Sequence, residues 1–188
     1  MAAADSGGGR MAMGAPDGTV QVRISRIELE CGRALDDATL TASTYGKLNP
    51  QGTNGVLVGH SLTSDSQVHT WWGEMLSAKE GGEAAPAAGH GRCLDTSKYF
   101  IVCFNFLGSP YGSSSPMDEG GFAAFPAPVT MRDQARAMLR GCELLGVRSL
   151  ALAIGGSMGA MLALEVALEG GPEMVRAVCA VAGCARHP

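Results

Sequence analysis

The chain has 188 residues, of which 46% are hydrophobic and 17% charged, and its formal net charge is −4. Such a chain is long enough to bury the core of one domain and too apolar to remain disordered. Its acidic balance gives no footing for nucleic acid or an anionic membrane, and no apolar run approaches the ~18–20 residues of a transmembrane helix.

Residues 1–18 are rich in Gly and Ala, lack apolar periodicity, and are expected to form a disordered tail. They carry neither the apolar segment of a secretory signal nor the Arg-rich amphipathic pattern of a transit peptide. The default compartment is cytoplasmic, with a plastid as the open alternative. From Thr19 to Glu30, Val20, Val22 and Ile24 and then Ile27 and Leu29 alternate with polar residues, which predicts one or two antiparallel strands. The stretch from Thr39 to Gly46 predicts another, closed by the turn formers Gly46, Asn49, Pro50 and Gly52.

The run Val56-Leu57-Val58-Gly59-His60 reads as a short strand buried on both faces. A helix is expected around Trp71 to Leu76, and a flexible surface insertion from Lys79 to Gly91. Lys98 to Phe104 predicts a third buried strand. The Gly/Ser/Pro-rich segment from Gly108 to Pro128 predicts a loop, long enough to suggest a functional role. Thr130 and Asp133 have the spacing of a capping box. Ala135, Met138, Leu139, Cys142 and Leu145 keep helical spacing from there to a stop at Gly146. A strand from Ser149 to Ile154, a helix from Met161 to Leu168 and a last buried strand from Val175 to Ala182 complete the order. Strands alternating with helices predict an α/β fold with a mostly parallel sheet.

The six cysteines, Cys31, Cys93, Cys103, Cys142, Cys179 and Cys184, show no Cys-x-x-Cys spacing. They are expected to be buried free thiols, with Cys103 and Cys179 inside apolar strand-like runs. No cluster of His, Cys or Asp has metal-ligand spacing.

The segment Gly155-Gly156-Ser157-Met158-Gly159 joins an apolar strand to an apolar helix, the context in which Gly-x-Ser-x-Gly forms a nucleophile elbow. The serine sits on a sharp turn, so the residues two before and two after it must leave room for crossing backbone. Ser157 is the expected nucleophile. The N–H of Met158 is one expected oxyanion donor. The second comes from the loop His60-Ser61-Leu62-Thr63-Ser64, with Leu62 as the donor. The expected general base is harder to place. After Ser157 the sequence offers Glu165, Glu169, Glu173 and a single histidine, His187. His60, His69 and His90 precede the serine, and His60 is expected to satisfy loop hydrogen bonds.

Several ordered segments resemble the homoserine O-acetyltransferases of the α/β-hydrolase superfamily. They are Tyr45-Gly46-Lys47-Leu48-Asn49, His60-Ser61-Leu62-Thr63, Trp71-Trp72 and Cys93 to Val102, followed by Asn105 to Pro116, Phe125-Pro126, Thr130 to Asp133 and the elbow. The resemblance implies ping-pong acyl transfer through an acyl-serine at Ser157, with acetyl-CoA as co-substrate, no bound cofactor, and homoserine as acceptor in methionine biosynthesis. Leu62 and Met158 take the oxyanion roles. Relatives that acylate serine or use succinyl-CoA leave donor and acceptor open.

Two departures are local: Ala160 stands for a usual glycine, and Ser64-Asp65 for a usual small residue. The family also continues past the last strand into a helical lid, two further strands and the catalytic Asp and His. The expectation is therefore an incomplete α/β-hydrolase domain over residues 19–188, lacking lid and C-terminal strands. The alternatives are a non-catalytic homologue acting as a binding or regulatory partner, and a plain serine esterase. A homo-oligomer or pairing with a full-length homologue would cover the exposed last strand.

Overall fold

A strand that alternates buried and exposed side chains needs a core on one face only, and the first element follows that rule. In the computed structural model, which describes residues 18–73, 75–76, 93–118, 121, 125–126 and 128–185, β1 (Thr19–Glu28) buries Val22, Ile24 and Ile27. A turn closed by Gly32 in the left-handed region (φ 78°) leads into β2 (Ala34–Tyr45), antiparallel to β1. β2 begins five residues ahead of the expected Thr39. The early part carries Asp36 and Asp37 rather than apolar residues, and pairs instead with Arg26 at 2.7 Å and Arg23 at 2.9 Å. Cross-strand ion pairs replace the apolar alternation there, which hides the strand from a hydrophobic pattern.

β3 (Gly55–Gly59) and β4 (Phe100–Phe104) are buried throughout, as short continuous apolar runs require. The helix expected around Trp71 to Leu76 is instead the short α1 (Val68–Trp71). Gly73 follows it, and Leu76 leaves the helical path to form a bridge with Leu94. The expected insertion from Lys79 to Gly91 lies outside the described residues.

Helix α2 (Met131–Leu144) starts from a complete capping box between Thr130 and Asp133 and ends ahead of Gly146 (φ 86°). It leads to β5 (Leu150–Gly156). Helix α3 (Met158–Met174) bends at Gly171, and β6 (Val178–Val181) ends the sheet. The sheet order is β1-β2-β4-β3-β5-β6, with antiparallel pairing of β1–β2 and β2–β4 and parallel pairing elsewhere. It is a mixed, mostly parallel α/β sheet. The last strand is shorter than expected and, contrary to expectation, exposed along its whole length.

Alternation along β3 and β4 sorts the core into two layers. Leu57, Val102 and Phe104 point to the face covered by α2 and α3, with Met138, Cys142, Leu162 and Val166. Val56, Val58, Ile101 and Cys103 point to the other, with Val68, Leu76 and Leu94. Cys103 and Cys142 are the buried thiols, and burial pushes both upward in pKa, Cys142 to about 12. Cys31, Cys93, Cys179 and Cys184 are exposed. This corrects the expectation of burial for all four, and at Cys179 an apolar run in sequence does not by itself cover the side chain.

Asp133 ties the helical layer to the sheet. It has no solvent exposure, and it accepts hydrogen bonds from the N–H of Glu30 at 2.9 Å and of Thr130 at 3.0 Å. The Thr130 hydroxyl and Arg132 in turn hold the Glu30 carboxyl below its usual range. Asp133→Ala strips two backbone donors of a charged acceptor and is expected to cost about 3 kcal/mol in urea unfolding. Asp133→Asn, which keeps one acceptor, is expected to cost about half as much.

Candidate active site

The turn from β5 into α3 carries Ser157 at φ 56°, ψ −119°, a conformation that a non-glycine residue holds only under constraint. The constraint is steric and comes from three glycines. A Cβ at Gly155 would run into the backbone of Gly159, and one at Gly159 would run into the carbonyl of Gly59. A Cβ at Gly59 would lie 2.6 Å from the Gly159 carbonyl oxygen. Gly59 is also the register partner of Gly155. β3, β5 and the first turn of α3 therefore touch backbone to backbone. The glycines of the elbow were legible in sequence; Gly59 was not singled out, although it ends an apolar run.

Ser157 is exposed, and its N–H donates to Val181 O at 3.0 Å, fastening the elbow to β6. Its side chain makes no cap to its own helix. The N–H of Met158 heads α3, where the helix dipole favours negative charge, and among the described residues no acceptor is paired with it. The indole of Trp72 closes one side, 3.3 Å from where a Cβ on Gly156 would stand.

The loop after β3 carries the other expected donor. Ser64 N–H bonds to Ser61 O at 3.1 Å, and the Ser61 and Ser64 hydroxyls meet at 2.8 Å, so Leu62 rides the tip of a tight turn. Its side chain is 75% exposed, and its N–H has no acceptor among the described residues. That turn is anchored from behind: Ser66 N–H bonds to Asn105 Oδ1 at 2.7 Å, and the Ser66 hydroxyl meets Ser43 at 3.0 Å. Trp71 donates to Asp65 O at 3.1 Å.

Asn105 is the junction that sequence reading missed. It is 2% exposed, and besides Ser66 it donates from Nδ2 to Tyr111 O at 2.7 Å and accepts the Ser113 hydroxyl on its carbonyl at 2.7 Å. The described part of the long loop after β4 is thus stitched to the loop bearing Leu62. A polar residue just past an apolar strand was the only available signal. On the far side of the same loop, Gln134 of α2 brackets Leu107, accepting from its N–H at 2.9 Å and donating to its carbonyl at 2.8 Å.

The histidines do not gather at the serine. His60 is 2% exposed, its Nδ1 lies 2.8 Å from Ser61 O, and its ring stands edge-on to Phe106 at 4.6 Å. A carbonyl only accepts, so Nδ1 carries the proton and Nε2 is a bare acceptor with no partner among the described residues. His60 therefore satisfies one loop hydrogen bond rather than two. Burial depresses its pKa, which favours the neutral ring. His69 accepts or donates at the Tyr45 hydroxyl, 3.0 Å away, and His90 and His187 lie outside the described residues. Glu165 and Glu169 turn to Arg132 and Arg136 of α2, with contacts from 2.7 to 3.3 Å. Among the described residues, no base bonds to Ser157 and no cluster could hold a metal ion. A cavity of about 450 Å³ bounded by Glu143, Val147, Arg148 and Met174 precedes β5, at the opposite end of that strand from the serine.

Comparison with known proteins agrees with this geometry. A family model described as the alpha/beta hydrolase fold matches residues 82–188. The homoserine O-acetyltransferase of Salinibacter ruber is 42% identical over 173 residues, covering 87% of this chain and 46% of that protein. Among solved structures, the acetyl esterase MekB superposes with a TM-score of 0.71 at 33% identity, covering 89% of this chain and 45% of its own. The homoserine O-acetyltransferase of Staphylococcus aureus gives 0.70 at 26% identity, covering 90% and 45%. The chain spans under half the length of each of these relatives.

Two outcomes follow from the strain at the elbow and the burial of His60. Ser157→Gly removes a left-handed side chain and is expected to raise stability by about 1 kcal/mol, whereas Ser157→Ala leaves it unchanged; urea midpoints at constant m-value read both. For His60, the folded pKa lies below the unfolded value near 6.5. As pH falls through that value the unfolded chain takes up the proton first, so stability present at pH 7 is lost below it. Between pH 7 and 5.5 the wild type is expected to lose about 1 kcal/mol more than His60→Gln.

Proposed function

Because the chain belongs to the α/β hydrolase fold family, we propose that it carries the nucleophile portion of an acyltransferase moving acetyl from acetyl-CoA to homoserine. The observation that carries this reading is Ser157 itself, exposed, held at φ 56° and placed at the head of α3. The choice of substrates rests on likeness to the Salinibacter ruber enzyme. Residues 19–188 are read as part of one hydrolase domain with a tail at 1–18, working in the cytoplasm. Acetyl-CoA serves as a co-substrate rather than a resident cofactor, and methionine biosynthesis is the setting.

In this mechanism Ser157 Oγ attacks the thioester carbonyl as a base takes its proton. The developing oxyanion is met by the N–H groups of Met158 and Leu62, both fixed before substrate arrives. Collapse breaks the C–S bond, the proton passes to the departing thiolate, and acetyl remains on Oγ. The homoserine hydroxyl then repeats the addition and releases O-acetylhomoserine. Rigid donors matter because they need no reorganisation when charge appears, and the Asn105 junction supplies that rigidity to Leu62.

A second reading, a plain esterase, is favoured by the likeness to MekB. The two differ in whether homoserine or water discharges the acetyl-serine, and water exclusion decides it. With Ser157 unpaired by any described base, the 188-residue chain alone is expected to release CoA from acetyl-CoA no faster than its Ser157→Ala variant. Robust Ser157-dependent release by the chain alone would overturn the expectation and return His187 to candidacy as the base. Once a base is supplied, an excess of O-acetylhomoserine over acetate upholds the transferase, and acetate alone makes the protein an esterase.

A further inference from the structure

A trans peptide points its C=O and its N–H in opposite directions. Whatever holds Ser61 O therefore aims the N–H of Leu62. Ser61 O is held twice, by the Nδ1–H of His60 at 2.8 Å and by the N–H of Ser64 at 3.1 Å. Both acceptor positions of that carbonyl are engaged. The Leu62 N–H is turned away from them, with no acceptor of its own among the described residues.

The setting of His60 enforces this grip. Its ring is buried, stands edge-on to Phe106 at 4.6 Å, and leaves Nε2 without a partner among the described residues. A proton moved from Nδ1 to Nε2 would bury an unmatched N–H and set two lone pairs against each other at 2.8 Å. Only the Nδ1–H tautomer pairs the ring proton, and that proton goes to Ser61 O. The backbone of His60 is fixed as well, since a Cβ on Gly159 would lie 2.9 Å from His60 O. His60 thus abuts the first turn of α3 with its own carbonyl and orients the next carbonyl with its ring. The bonds from Asn105 and Ser43 end on Ser66, beyond the turn, and do not touch the Ser61–Leu62 peptide.

We propose that His60 is a positioning residue for acyl transfer: its Nδ1–H holds Ser61 O so that the Leu62 N–H stays turned toward the oxyanion formed at Ser157. This rests on the acyltransferase reading above, in which Leu62 and Met158 are the donors. Without the ring proton the peptide is free to rotate, which brings Ser61 O to the place of the Leu62 N–H. An acceptor would then face the developing negative charge, a heavier cost than the loss of one donor. His60 itself touches no reacting atom. Its part is to keep the peptide from turning.

The test compares the 188-residue chain with its His60→Asn and His60→Leu variants. The two new side chains have nearly the same shape and leave the same space beside Phe106, but only Asn carries an N–H where Nδ1 stood. Crystal structures of all three read the direction of Ser61 O. Amide spectra read the donors at Leu62 and Met158 during titration with sodium acetate, against sodium chloride at equal ionic strength. Wild type and His60→Asn are expected to keep Ser61 O on residue 60, with both amides shifting on acetate. In His60→Leu the Ser61 carbonyl is expected to turn away, and the Leu62 response to fall about tenfold while that of Met158 persists. A merely structural loss would move both amides together. A leucine variant with the wild-type peptide direction and an undiminished Leu62 response overturns the proposal. So does an asparagine variant no better than the leucine one. Should the leucine variant fail to fold, nitrogen spectra of the wild-type ring decide, a proton on Nδ1 upholding the proposal and one on Nε2 overturning it. Silence of both amides in the wild type defeats the acyltransferase reading of the donors, while the peptide directions still judge His60.

Discussion

The backbones of Gly59, Gly155 and Gly159 lie too close together to admit a Cβ, and the rest of the site depends on that contact. Any side chain at these positions would push β3, β5 and α3 apart. With hydrogen as the only substituent, α3 begins almost in contact with the sheet, and the turn into it has no room for an ordinary conformation. Ser157 absorbs the difference at φ 56°. A strained residue persists only where its surroundings over-determine it, and here they do: strand register on one side, helix packing below, and the Val181 carbonyl holding the serine N–H. The same contact aims the first N–H of α3 outward. The strained turn at Ser157 and the exposed N–H at the head of α3 are thus consequences of one packing event.

The Leu62 loop is held by different physics. Leu62 sits in a polar loop that no hydrophobic contact could fix, so its position is set by directional bonds converging on Asn105, Ser66 and Ser43. Buried polar networks of this kind are costly unless every member is satisfied, and Asn105 both donates from its side-chain amide and accepts on its side-chain carbonyl. By contrast, the ion pairs joining Arg132 and Arg136 to Glu165 and Glu169 lie at a half-exposed helix surface, where such pairs contribute little net stability. Those carboxylates are occupied in packing α2 against α3, which leaves them no part at the serine.

Sequence reading recovered what periodicity and turn chemistry encode. Val22, Ile24 and Ile27 announced β1, the Thr130–Asp133 spacing announced the cap of α2, and the elbow glycines announced the tight strand-to-helix turn at Ser157. It failed where stabilisation is not apolar or not local. Asp36 and Asp37 concealed the start of β2 because ion pairs stand in for buried residues. Asn105 could not be told from any loop asparagine, since the Ser66 N–H that its side chain holds lies 39 positions away. Gly59 joined the elbow only through a strand pairing that sequence order does not display. Cys179 looked buried because apolar character is a property of sequence, whereas burial depends on what covers that face of the sheet.

That last distinction bears on how the site is built. The elbow strain, the Met158 donor and the Leu62 turn are each fixed by contacts within the described residues, so they form without any base. A catalytic serine normally gains reactivity from its histidine, while the oxyanion donors and the strained backbone are inherited from the scaffold. Here the scaffold part is set by the packing of the sheet, and the Ser157 N–H, bonded to Val181 O at 3.0 Å, ties the turn to β6.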